Sequence, residues 1–125
     1  MRLLLFGNPA LAMDSLALEV GRALAKDGHE TVHLENPLDL LEEDLSRAVI
    51  LDVAVGVDDV RLLTDVDKLV LGRLCSLHDF DMAYFLKLLK AMGKLGDVRI
   101  VALPQGMDAE EAIIGVRRLI SEIDL

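Results

Sequence analysis

The sequence predicts a three-layer α/β/α sandwich, an α/β fold in which a roughly five-stranded, mostly parallel sheet lies between helices. Short aliphatic runs, typical of strands buried on both faces, alternate along the chain with segments whose apolar residues recur three and four positions apart, as in amphipathic helices. The chain has 125 residues, of which 53% are hydrophobic, and this is enough for one core. We therefore expect a single domain over residues 1–125.

The first half of the chain predicts three strands and two helices. The first strand is almost wholly apolar, which suits a central position in a parallel sheet. Gly28 stands where a helix C-cap prefers glycine, so the first helix is expected to end just before it. The third strand begins with a continuous aliphatic run and is expected to be the most deeply buried. In order, the elements are the strand Arg2–Phe6, the helix Asp14–Lys26, the strand Thr31–Leu34, the short helix Leu38–Leu45 and the strand Ala48–Ala54.

The second half begins with an irregular acidic stretch and continues with strands and helices in alternation. Phe85, Leu88 and Met92 follow the spacing of one helix face. Asp108 is placed to cap the last helix, with Glu111 three residues on, as in a capping box. In order, the segments are the irregular stretch Gly56–Asp67, the short strand Lys68–Gly72, the helix Phe80–Lys94, the strand Val98–Leu103 and the helix Ala109–Ile123.

Composition and charge exclude several classes of function. The net charge of −9, from 13 basic and 22 acidic residues, opposes binding to nucleic acid or to an anionic membrane surface. No apolar stretch is long enough to span a bilayer, and the first strand is too short for the apolar core of a signal peptide. Cys75 is the only cysteine, which predicts a reducing compartment. We therefore expect a soluble cytoplasmic protein, and the sequence leaves its oligomeric state open.

Two carboxylates and one imidazole follow three predicted strands. Asp14 comes after the first strand, Asp52 after the aliphatic run of the third, and His78 after Leu69-Val70-Leu71. Ligands of open α/β sheets bind beyond the carboxyl ends of the strands, and two acids with one histidine can bind a divalent transition metal. Asp14 has a second interpretation as a helix N-cap. A buried Asp52 must be solvated, hydrogen-bonded or bound to a cation.

Three segments of the chain, taken together and in order, resemble the maturation endopeptidases of nickel–iron hydrogenases. The first is similar to the family's opening loop, which leads from strand one to a metal-binding acid. The second resembles an apolar strand that ends in Asp and a small residue, and the third resembles a Ser/Thr-x-His segment before a helix. These segments are Gly7-Asn8-Pro9-Ala10-Leu11-Ala12-Met13-Asp14, Val49-Ile50-Leu51-Asp52-Val53-Ala54 and Ser76-Leu77-His78-Asp79-Phe80.

The resemblance implies a single-domain α/β peptidase that needs neither a catalytic serine nor a catalytic cysteine. Such an enzyme removes a C-terminal extension from the hydrogenase large-subunit precursor after nickel insertion, and nickel in the precursor is the recognition element. By matching position, Asp14, Asp52 and His78 would be both the catalytic residues and the metal contacts, and Asn8 would shape the loop beside them. Another divalent metal is also compatible with these ligands.

The chain departs from the family pattern at three places. Met13 precedes Asp14 where the family commonly has a second acid, and Ala17 stands where it often has glycine. Glu35-Asn36-Pro37 replaces an Asp-Gly-Gly-Thr-like loop that the family associates with substrate recognition and cleavage. The alternative is therefore a catalytically silent factor that binds nickel or a hydrogenase subunit during assembly.

A phosphoacceptor receiver-like domain is the rival hypothesis from another class. Its length and layering are similar, and Asp52 lies where the phosphorylated aspartate would be. Receivers also need an acid pair after strand one and a lysine after the last strand. This chain has Gly7-Asn8 and Pro104-Gln105 at those points, which argues against the receiver.

Overall fold

A mostly parallel β-sheet forms the centre of the computed structural model, which describes residues 1–6, 15–35, 37–64, 75–76, 89–93 and 98–123. Two α-helices, two 3₁₀ helices and the helical residues 89–91 accompany the six strands of the described residues. The strands are β1 (Arg2–Phe6), β2 (Glu30–Leu34), β3 (Ala48–Val55), β4 (Arg61–Leu63), β5 (Cys75–Ser76) and β6 (Ile100–Pro104). The helices are α1 (Leu16–Lys26), the 3₁₀ helices Pro37–Glu42 and Leu45–Arg47, and α2 (Ala109–Glu122).

The main path of the sheet has the strand order β2-β1-β3-β6-β4, and β5 pairs with β3 outside this path. The pairs β1–β2, β1–β3 and β3–β6 are parallel, whereas β4–β6 and β3–β5 are antiparallel. The predicted fold class, an α/β sheet that is mostly parallel, is therefore confirmed. The edge strand β4 and the two-residue β5 were not predicted from the sequence.

Both α-helices cover one face of the sheet, called here the first face. Helix α1 has more than one buried row there and contributes residues from Leu16 to Leu24, and α2 contributes Ala112, Val116 and Ile120 to the same core. Helix α1 ends in a Schellman motif, because the Gly28 amide donates to the Ala25 carbonyl and the His29 amide to the Leu24 carbonyl. Gly28 has a φ of 98°, which confirms its predicted capping role.

The opposite, or second, face carries a separate aliphatic core. The described segments that cover it are the 3₁₀ helix Pro37–Glu42, through Leu40, and residues 89–93, through Leu89. Leu40 has 1% of its surface exposed and Leu89 has 5%. The strand residues of this core include Leu4, Phe6, Ile50 and Ile100.

Several predicted elements differ from the structure. The short helix Leu38–Leu45 is replaced by two 3₁₀ helices, and the stretch Gly56–Asp67 contains strand β4 instead of being irregular throughout. Asp108 is the N-cap residue of α2, but its side chain makes no capping hydrogen bond, so the predicted capping box is wrong. The strand Lys68–Gly72 and most of the helix Phe80–Lys94 lie outside the described residues, although residues 89–91 are helical.

The prediction of no membrane span agrees with the part of the chain that the structure describes. No helix there has the length and apolar character needed to cross a bilayer.

Candidate functional site

Asp52 is the buried acid of the candidate site. It lies inside β3, three residues before the strand ends, and directly after the aliphatic run that the sequence places before it. Only 5% of its surface is exposed, and it is the sole polar or charged residue among the described residues that is buried. A solvated strand end is therefore excluded for this carboxylate. Asp52 takes part in at least one hydrogen bond or electrostatic interaction, as burial of a charge requires.

The pleat of β3 places Asp52 on the second face of the sheet. Val49, Leu51 and Val53 belong to the core under the two α-helices, and side chains alternate between the two faces along a strand. Asp52 therefore shares a face with Ile50 and Ala54. On β6 its direct partner is Ala102, so small methyl side chains lie beside it both along β3 and across to β6.

Two different strands pair with β3 on either side of Asp52. The parallel pairing with β1 ends at Leu5–Leu51, and the antiparallel pairing with β5 begins at Ala54–Ser76. Since β6 pairs with β3 from Ile50 to Ala54, β1 and β5 must share the other edge of β3. Asp52 and Val53 therefore lie between the end of one neighbour and the start of the other on that edge.

The strands that flank Asp52 lead in sequence to the other two predicted site residues. Strand β1 ends at Phe6, directly before the segment that carries Asn8 and Asp14, and β5 ends at Ser76, two residues before His78. Asn8, Asp14 and His78 lie outside the described residues. The structure thus places Asp52, and the assembly of the three ligands stays a prediction.

A metal cluster is not found within the described part of the chain. No group of three histidine, cysteine, aspartate or glutamate residues there is arranged to hold an ion. This result does not test the set of Asp14, Asp52 and His78, because two of its members are not among those residues. Carboxylates and imidazole remain suitable ligands for a divalent transition metal.

An ion pair fixes the segment that follows β2 to the start of β1. The Arg2 guanidinium donates from Nε and Nη2 to the two carboxylate oxygens of Glu43, each at 2.9 Å, and also contacts Glu30. These carboxylates raise the pKa of Arg2 above its ordinary value, chiefly through the hydrogen bond with Glu43. Glu43 comes directly after the 3₁₀ helix Pro37–Glu42, so the pair tethers the end of that helix to the sheet.

A groove of about 530 Å³ opens at the other end of the sheet. Met1, His29 and Ser121 line it, together with the ion pair in which Arg117 Nε lies 2.8 Å from Asp27 Oδ2. Met1 precedes β1, and both helices end near the groove, so it lies at the amino ends of the strands. It is therefore separate from the candidate site around Asp52.

Comparison with known proteins identifies the fold. The arrangement of strands and helices is a hydrogenase maturation protease-like fold, as the resemblance in the sequence implied. The similar solved structure is described as the crystal structure of the hydrogenase 3 maturation protease, with a TM-score of 0.65 and 18% sequence identity over 94% of this chain and 87% of that chain. The sequence matches no protein-family model, and a search of curated proteins gave no match.

The sheet topology also argues against the receiver-like hypothesis. A flavodoxin-like sheet, the arrangement that receiver domains use, has the strand order 2-1-3-4-5. Here β4 lies at the edge beyond β6 and runs antiparallel to it. Strand β6, the last one in the described residues, is therefore inside the sheet, where a receiver has its fourth strand.

Two features near the site were missed from the sequence. Strand β5 has only two residues, too few for any pattern to reveal its pairing with β3. Leu38 and Leu41 are half-exposed, and the predicted short helix Leu38–Leu45 did not indicate which of its leucines are exposed. A signal was present in this case, because Leu38, Leu40 and Leu41 lie too close together in sequence for all three to face one core.

Proposed function

We propose that this protein is a metal-dependent endopeptidase that removes the C-terminal extension of a nickel–iron hydrogenase large-subunit precursor after nickel insertion. The observation that carries the proposal is the buried carboxylate of Asp52, located where β1 ends and β5 begins, in a hydrogenase maturation protease-like fold. Nickel is part of the precursor and hence of the substrate.

In this proposal Asp14, Asp52 and His78 contact the metal that the precursor presents. A divalent ion polarises a peptide carbonyl and lowers the pKa of a water molecule near it. Asp52 can accept a proton from that water as well as contact the metal, because a carboxylate within hydrogen-bond reach can act as a general base. Burial among aliphatic side chains excludes bulk water and strengthens the attraction between the carboxylate and a cation.

A catalytically silent assembly factor is the second candidate. The observation that favours it is Glu35-Asn36-Pro37, which stands where the resemblance leads us to expect a loop for substrate recognition and cleavage. Such a factor would bind the same precursor and leave its C-terminus intact. The two candidates therefore differ in one measurable product.

The deciding experiment is mass spectrometry of a nickel-loaded large-subunit precursor after incubation with the purified protein. We expect loss of a defined C-terminal peptide, and no loss from a nickel-free precursor. Asp52→Asn, Asp14→Asn and His78→Ala should each abolish the product. Asp58→Asn is the matched control, because Asp58 is an exposed acid close to the same strand, and it should cleave like the wild type.

Each other outcome has a distinct meaning. An intact precursor that nevertheless binds the wild-type protein would support the silent assembly factor. Cleavage by Asp52→Asn at the wild-type rate would show that the site is assigned wrongly. Thermal melts of each variant must match the wild type, so that lost activity is not a consequence of unfolding.

A further inference from the structure

An exposed leucine pair lies on the 3₁₀ helix after β2. Leu38 is 51% exposed and Leu41 is 55% exposed. Residues three apart in a 3₁₀ helix lie above one another, so the two side chains are on the same side of it. We call these two side chains, with the neighbouring carboxylates of Asp39 and Glu42, the leucine surface.

The leucine surface is held in a defined position. Leu40, between the two exposed leucines, is buried in the core of the second face. The Arg2–Glu43 ion pair fixes the chain one residue after the helix ends. An exposed apolar pair that is anchored at both its centre and its end loses little conformational freedom when a partner covers it.

The surface covers the same face of the sheet as the candidate site. Leu40 packs in one core with Ile50, and the alternation along β3 puts Asp52 on the face of Ile50. Residues 89–93 also cover this face through Leu89 and expose Met92, which is 55% accessible. A protein bound over the leucine surface would therefore approach the sheet from the side on which Asp52 lies.

Charge indicates which kind of partner fits. Glu35, Asp39 and Glu42 are exposed around the two leucines, and the whole chain has a net charge of −9. A second copy of this chain would bring like charges together, which is unfavourable. A segment with aliphatic side chains flanked by lysine or arginine would bury the leucines and complement the carboxylates.

We propose that the leucine surface docks a cationic, aliphatic segment of the hydrogenase large-subunit precursor. This inference rests on the proposed function, since it takes its partner from there, and it adds the surface and the chemistry of recognition. Docking at this surface would bring the precursor to the face of Asp52.

The apolar part of the proposal is tested by binding of the nickel-loaded precursor, measured by biolayer interferometry. The parent is the Asp52→Asn variant, so that the precursor is not consumed. Adding Leu38→Ser and Leu41→Ser should raise Kd by about tenfold or more, since two apolar side chains would no longer be buried on binding. Adding Ile114→Ser instead should change Kd less than about twofold. Ile114 is the matched control because it is 59% exposed on α2, which covers the first face.

The charge part is tested with the same assay. Asp39→Lys with Glu42→Lys should weaken binding and flatten its salt dependence between roughly 50 mM and roughly 300 mM NaCl. Glu110→Lys with Glu122→Lys is the control, because it makes the same change of net charge at exposed positions of α2. If the two double substitutions change Kd equally, binding responds only to the net charge of the protein. That result would overturn the proposed role of Asp39 and Glu42.

The outcomes separate this inference from the proposed function. Cleavage by the wild type together with unchanged binding of the Leu38/Leu41 variant would overturn the docking surface alone. Binding that depends on the leucines, without cleavage by the wild type, would support the surface and refute the peptidase. If neither the wild type nor the parent binds the precursor, or if the leucines hold two copies of this chain together in sedimentation, the docking proposal is wrong.

Discussion

Replacing Gly21 with alanine should destabilise the protein, because α1 packs closely against β1. An added Cβ would lie 2.2 Å from Leu5 Cδ1, 3.1 Å from Leu5 Cδ2 and 3.2 Å from Leu5 Cγ. Leu5 is 5% exposed and belongs to the core of the first face. The Leu5 side chain therefore has to leave its present position within a closely packed interior.

The expected size follows from two opposing effects. Overpacking a core costs about 1–3 kcal/mol, and the upper end applies because three atoms of one buried side chain are too close. Alanine in place of glycine inside a helix recovers about 1 kcal/mol. The net loss in unfolding free energy for Gly21→Ala should be about 2 kcal/mol, which corresponds to a fall in Tm of roughly 8 °C for a domain of this size.

Urea unfolding followed by circular dichroism measures this loss, and Gly115→Ala is its matched control. At Gly115, in α2, the nearest atoms to an added Cβ are Val60 Cγ2 at 3.0 Å and Val60 Cβ at 3.1 Å, so no contact is as short as the one to Leu5, and Val60 is a half-buried residue outside the strands. We expect Gly115→Ala to change the unfolding free energy by less than about 1 kcal/mol. If Gly21→Ala is as stable as the wild type, or if both variants lose the same amount, the inferred packing of α1 on β1 is wrong.

Three further predictions concern the Asp27–Arg117 ion pair, the candidate site and the core. Arg117 hydrogen-bonds to Asp27 and holds the pKa of that carboxyl below its ordinary value. The ion pair therefore stabilises the folded protein fully at a pH above the ordinary pKa of the carboxyl, and this stabilisation is lost as the pH falls through the lowered pKa. Asp27→Asn should therefore lower Tm at pH 7 but not at about pH 2, and an equal effect at both would contradict this reasoning. Asp52→Asn should lower the unfolding free energy at pH 7 by no more than about 1 kcal/mol, because asparagine keeps an oxygen acceptor for the interaction that Asp52 makes, whereas a loss of about 3–5 kcal/mol in urea unfolding would identify a structural ion pair. Leu103→Ala, at a residue with 0% exposure, should cost about 2–5 kcal/mol in the same measurement, and a loss below about 1 kcal/mol would contradict its place in the core.

Local chemistry explains which parts of the fold could be predicted. The strand Arg2–Phe6 has the predicted bounds, and helix α1 ends at Lys26 as expected, because an apolar run and a glycine C-cap are properties of neighbouring residues. Strand β4 was missed because Arg61–Leu63 is short and only partly buried, so it has no alternating pattern. Its existence depends on pairing with β6, nearly forty residues away in sequence.

Some features of the candidate site could likewise be predicted from the sequence, and others could not. The type of residue was evident, since an acid among aliphatic residues of a strand must have a reason to be there, and Asp52 is indeed buried. Its surroundings were not evident, because the face of the sheet and the neighbouring strands are set by register. The exposed side chains of Leu38 and Leu41 follow from a 3₁₀ helix anchored by Leu40. The close spacing of the three leucines indicates that they are not all buried, but it does not show which of them is.

The position of Asp52 follows from the length of β1. The parallel pairing of β1 with β3 begins at Arg2–Ala48. Because β1 has five residues and β3 has eight, β1 ends beside the middle of β3. The sequence after Phe6 is Gly7-Asn8-Pro9, and proline has no backbone N–H with which to continue a ladder. In the described residues the pairing of β1 with β3 thus stops at Leu5–Leu51, one residue before Asp52. Any variant that extends β1 beyond Phe6 should therefore impair the site while preserving Asp52 itself.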